Sequence, residues 1–105
     1  MTVIDEVGKR CFPGEHPEIQ AELSRSVGRL DAYVAANDSR ATPGMIAEFK
    51  RTQGHVGGPQ EFLCKDDGDP AQMYRAFRAQ GSQKLRETVD KVVARAGPPT
   101  WGDCL

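Results

Sequence analysis

Ile19, Leu23, Val27, Leu30 and Val34 recur at steps of four, four, three and four residues. Only a helix gathers such a set on one face, since a strand would scatter it over both. The stripe predicts a helix over about residues 17 to 36. Pro17 supplies the fixed φ that suits a first helical turn, Glu18 and Glu22 sit near the positive end of the helix dipole, and Asn37 is a fitting end. Gly28 inside the helix costs about 1 kcal/mol relative to alanine, which suggests that a neighbouring helix approaches closely there.

The same punctuation returns further along. In "SRATPGMIAEFKRTQG", Thr42 is the expected N-cap, Pro43 opens a helix over about 43 to 53, Met45, Ile46 and Phe49 form its buried face, and Gly54 stops it. In "GDPAQMYRAFRAQG", Asp69 and Gln72 have the spacing of a capping box, with Met73, Ala76 and Phe77 facing inward until Gly81. A last helix runs from Ser82, its expected N-cap, with Leu85, Val89, Val92, Val93 and Ala96 on one stripe, until Gly97, Pro98 and Pro99 end it. Residues 2 to 8 form a shorter helical pattern, capped by Thr2, in which Val3, Ile4 and Val7 share a face. "EFLC" is too short for a strand and is fenced by Gly57, Gly58, Pro59 and "KDDGD", so residues 54 to 68 read as a long loop. The expected fold is all-α: one helical domain over residues 1–105, a small four-helix-bundle-like arrangement closed by a C-terminal strap.

Composition bears on what such a domain can bind. The net charge is −1, with apolar residues at 38% and charged residues at 28%, so no global field draws in nucleic acid or an anionic membrane. The mean hydropathy of −0.56 describes a lean core. No apolar run approaches the ~18 residues that cross a bilayer. "MTVIDEVGKRC" has acids where a leader would be apolar, and neither Cys11 nor Cys104 fits a lipid-attachment pattern.

Alternating helix directions would place Cys11, Cys64 and Cys104 at one end of a bundle. The tail "PPTWGDCL" then reads as a strap in which Trp101 covers the open end of the core and Cys104 fastens to Cys64. Closing that loop of about 40 residues would add ~3 to 4 kcal/mol in the chain-entropy account. Cys11 with Cys64, Cys11 with Cys104, and three reduced thiols are the competing arrangements. An oxidised pair implies a periplasmic or secreted protein, and reduced thiols a cytoplasmic one.

Chemical motifs are sparse. Three cysteines with His16 and His55 could supply a zinc site, yet no two of them stand closer than five positions, whereas zinc sites carry a close pair. Asp66, Asp67 and Asp69 lack the alternate spacing of a calcium loop. Cys64 with His55 is the one pair that could serve nucleophilic catalysis, and nothing in the sequence supplies an orienting third group. No cofactor and no metal is expected.

The expected function is therefore binding, without chemistry, of another protein or a small ligand. Arg75, Arg78 and Arg86 lie in a segment, 70 to 96, with a local excess of +4, and form a basic face for an acidic partner. His55 and Phe62 lie in or beside the glycine-rich loop, where partner contact is expected. Trp101 in the strap completes the candidate set. A nucleic-acid or regulatory module using segment 70 to 96 is the alternative, ranked below because the chain is slightly acidic and the turn at Gly81 gives no clear recognition helix. A thiol or zinc enzyme centred on Cys64 ranks last.

Overall fold

The computed structural model describes residues 1–52 and 57–105, and every described regular element is helical. These are α1 (Thr2–Cys11), α2 (Pro17–Asn37), α3 (Pro43–Thr52), α4 (Gln60–Cys64), α5 (Asp69–Gln80), α6 (Ser82–Val93) and α7 (Trp101–Cys104). The helices are packed together, and a radius of gyration of 13.5 Å is that of a compact chain of this length. None of them is long and apolar enough to cross a membrane.

The stripe on α2 forms the spine of the core. Ile19, Leu23, Leu30 and Val34 are buried, together with Ile4 and Val7 of α1, Leu63 of α4, Tyr74 of α5, and Leu85 and Val89 of α6. Gly28 is open to space on its Cβ side, so no helix crosses there. The close approach lies instead at Gly8 of α1, where a Cβ would overlap Gln20 Oε1 and meet the Tyr74 ring at 2.9 Å. Asp5 beside it accepts from Gln20 Nε2 at 2.6 Å and Ser24 Oγ at 2.9 Å, tying α1 to α2.

Helix starts follow the proline pattern, though not every cap does. Thr42 Oγ1 accepts from the Met45 N–H at 3.1 Å, as its position predicts. Thr2, Asp69 and Ser82 are first helical residues rather than caps, and Met1, Gly68 and Gly81 hold the cap positions. The register of α5 is also turned from the expected one: Ala71 and Tyr74 are buried, Ala76 is exposed, and Met73 is 46% exposed. Tyr74 wins the inward place because its ring stacks on Phe12, with centroids 4.9 Å apart. Met45 likewise faces out, 47% exposed, while Ile46 is buried. Gly54, the expected stop of α3, lies outside the described residues. Within the expected loop, α4 forms a helical turn and a half that buries Leu63.

The disulfide joins Cys11 to Cys64, with Cα atoms 5.4 Å apart, and Cys104 is a free, buried thiol. This corrects the expected Cys64 to Cys104 bridge, and helix direction explains why. Arg86 reaches Glu22, Asp90 reaches Arg29, and the Arg95 carbonyl accepts from the Tyr33 hydroxyl, so α2 and α6 run parallel. Helix α5 begins near the disulfide, with the Gly68 N–H bonded to the Lys65 carbonyl, and ends beside His16. It crosses one end of the molecule instead of returning along it. Helix α6 therefore carries the chain away from Cys64, and Cys104 lies at the opposite end of α1 from Cys11, ~15 Å off at ~1.5 Å per residue.

The strap itself exists without that bond. Trp101 donates from Nε1 to Asp38 Oδ2 at 3.0 Å and meets Phe49 edge-on at 5.6 Å. Cys104 and Leu105 are buried in the core, and the Thr2 N–H donates to the Leu105 carbonyl at 3.2 Å.

Candidate functional site

Where α5 turns into α6, Gly81 alone makes the reversal, with φ at +92°, a conformation that side-chain-bearing residues rarely adopt. The turn delivers Arg78 and Ser82 to the same place as the start of α2, and between them lies a cavity of about 310 Å³. Its walls are Arg78 and Ser82 on one side, Glu15, His16 and Glu18 on the other, with Ile19 and Pro17 as apolar surface.

His16 and Arg78 meet at 3.1 Å between the imidazole Nε2 and the guanidinium Nη1. A guanidinium has no lone pair to offer, so Arg78 donates, Nε2 accepts, and the ring proton resides on Nδ1. One turn before Arg78, Tyr74 is buried, 1% exposed. Burial pushes the Tyr74 hydroxyl above its ordinary pKa; the Arg78 charge opposes that rise and the Glu15 charge adds to it. The Tyr74 ring lies 6.4 Å from His16 and stacks on Phe12, the residue after the disulfide-bonded Cys11. The bridge, the ring stack and the cavity wall thus form one contiguous structure.

The other candidates fall elsewhere. Arg75 donates to the Asp66 carbonyl at 2.6 Å and to its carboxylate at 2.9 Å. Arg86 donates to the buried Glu22 carboxylate at 2.7 Å. Arg78 differs from both in having no carboxylate within ion-pair distance among the described residues. Phe62 projects from α4 near the disulfide, 44% exposed. His55 lies outside the described residues. Trp101 stands at the far end, on another depression of about 370 Å³ shared with Met45, Pro98, Pro99, Asp38 and Arg40. Cys64 is bonded to Cys11, so it presents no free thiol for nucleophilic or metal chemistry. Burial raises the pKa of the one free thiol, Cys104, with the Asp103 charge adding to the effect.

Of the five expected partner residues that are described, Arg78 alone lines this cavity. Sequence reasoning missed Glu15, Glu18 and Ser82 as its companions and treated His16 only as a metal ligand. The legible signal was local: His16 directly precedes Pro17 at a helix start, and Arg78 stands three residues before the glycine that opens the next helix.

Comparisons with protein-family models, with curated proteins and with solved structures find no match to this chain.

Proposed function

We propose that this chain is a small binding protein without chemistry of its own, and that its ligand seat is the cavity between α2, α5 and α6. The observation that carries this reading is Arg78: a half-buried guanidinium on a cavity wall, bonded to a neutral ring nitrogen and left without a carboxylate, while Arg75 and Arg86 nearby each have one. A charged group on the wall of a concave space, without a carboxylate partner, is available to a ligand. Behind these walls the Cys11–Cys64 bridge ties α1 to α4 and the Phe12–Tyr74 stack ties the end of α1 to α5, the kind of rigid support that lowers the ordering cost of binding. The same bridge supports residence in an oxidising compartment, periplasmic or extracellular.

A thermal-shift screen of small charged and neutral metabolites tests the reading. Ligands that raise the melting temperature of the native chain should lose their effect on an Arg78→Ala chain and keep it on an Arg75→Ala chain. Hits indifferent to Arg78 would place the seat elsewhere.

A second reading has one observation in its favour. Met45, Pro98, Pro99 and Trp101 line the depression at the opposite end, a surface suited to an apolar segment of a protein partner. For nucleic acid the support is weaker, because Arg75 and Arg86 of the basic segment are already paired with Asp66 and Glu22.

A further inference from the structure

The donors and acceptors around the cavity are not matched to one another. Arg78 offers a planar fork of five N–H donors, of which one contact is made, to His16. Ser82 belongs to the same wall. Glu15 and Glu18 supply the opposite need: both are exposed, both line the cavity, and neither makes an ion pair among the described residues. Arg78 and Glu15 both line it, so the cationic and anionic groups border the same space.

A simple anion entering here would gain Arg78 but face two carboxylates, and a simple amine would gain the carboxylates but face Arg78. A molecule carrying both charges satisfies both sets. The apolar surface of Ile19 and Pro17 accommodates a short run of methylenes between them. At about 310 Å³ the space is at the small end of ligand cavities, which run from ~300 to ~1,000 Å³, and so suits a molecule of amino-acid size rather than a nucleotide or a polymer.

We infer that the cavity binds a small zwitterion, its acid group on Arg78 with Ser82 at hand, its ammonium group at Glu15 and Glu18. This rests on the reading of the cavity as the ligand seat.

The test uses three matched probes, γ-aminobutyrate, butyrate and butylamine, titrated into the oxidised full-length chain and followed by amide resonances at Ile19, Gly81 and Ser82. The zwitterion should bind about tenfold more tightly than either half, the gain of roughly one charge-assisted contact. Arg78→Gln should erase its advantage over butylamine, and Glu15→Gln with Glu18→Gln its advantage over butyrate. Arg78→Lys, which keeps the charge but not the fork, should retain part of the first advantage, and circular dichroism checks that each variant is folded. If butyrate or butylamine alone matches γ-aminobutyrate, or if neutral fragments bind the cavity better, the zwitterion assignment is wrong and the binding reading stands. Cavity resonances unmoved by every charged and neutral probe would overturn both.

Discussion

At the end of the molecule where α1 stops, Cys11 is joined covalently to Cys64, Phe12 stacks on Tyr74, and the ring wall continues to His16 and Arg78. At the other end, Trp101 closes the core with one indole bond to Asp38, an edge contact on Phe49 and the burial of Cys104 and Leu105. Both closures cover a lean core, yet they differ in kind. The covalent one acts chiefly by restricting the unfolded chain and survives local opening; the strap acts only while its contacts are made. The cavity borders the covalently held end. Rigid support beside the proposed ligand seat, and weaker closure away from it, is the division of labour that these contacts describe.

The largest expected effect comes from the bridge. Replacing both Cys11 and Cys64 by alanine, or reducing the native chain, should lower stability by about 4 kcal/mol for a loop of this length, read from denaturant unfolding of oxidised and variant chains. Equal stability of the two would remove the covalent end from the account. Trp101→Ala should cost less, about 2 to 3 kcal/mol for a large, partly buried ring, and should open Cys104 to alkylating reagents that the native chain resists. A loss larger than that of the bridge would reverse the comparison.

Acid should separate the ends by a smaller step. In the fold, the backbone N–H of Arg40 first, then its guanidinium, hold the Asp38 carboxyl below its ordinary value of 3.8, and the Trp101 indole adds to them. A depressed carboxyl contributes stability that is complete above the unfolded value and is lost as pH falls through the lower folded one. Trp101 fluorescence should therefore change below about pH 4 ahead of the far-ultraviolet helical signal, and Asp38→Asn should abolish that early step. Simultaneous loss of the two signals would show that the strap has no acid-sensitive fastening of its own. The smallest effect belongs to the basic face: Arg75→Gln should change stability by no more than about 0.5 kcal/mol, as for an exposed pair, measured by thermal unfolding.

How far these ends could be read from the sequence depended on the range of the interactions involved. The α2 stripe and the Thr42 cap are local, set by residues within a few positions, and both are found as expected. Helix α4 was not legible, because five residues between Pro59 and "KDDGD" have no periodicity to display; Leu63 and the bond to Cys11 bring α4 into the fold. The cysteine pairing was misread for a related reason. It follows from α5 crossing the end of the molecule, which depends on Tyr74 docking against Gly8 and Phe12, residues more than sixty positions away. In the site, Arg78 was legible as one of several arginines, but what distinguishes it from Arg75 and Arg86 is the placement of Asp66 and Glu22, which only the fold decides.

The most direct test of the account asks which end binds. Amide chemical-shift mapping of the oxidised chain against a mixed fragment library would report on both ends in one experiment. The account predicts shifts concentrated at Ile19, Arg78, Gly81 and Ser82, lost on Arg78→Ala, with Met45 and Trp101 unmoved. Shifts gathered instead at Met45 and Trp101, with Ile19, Arg78, Gly81 and Ser82 silent, would contradict it and assign the binding role to the strap end.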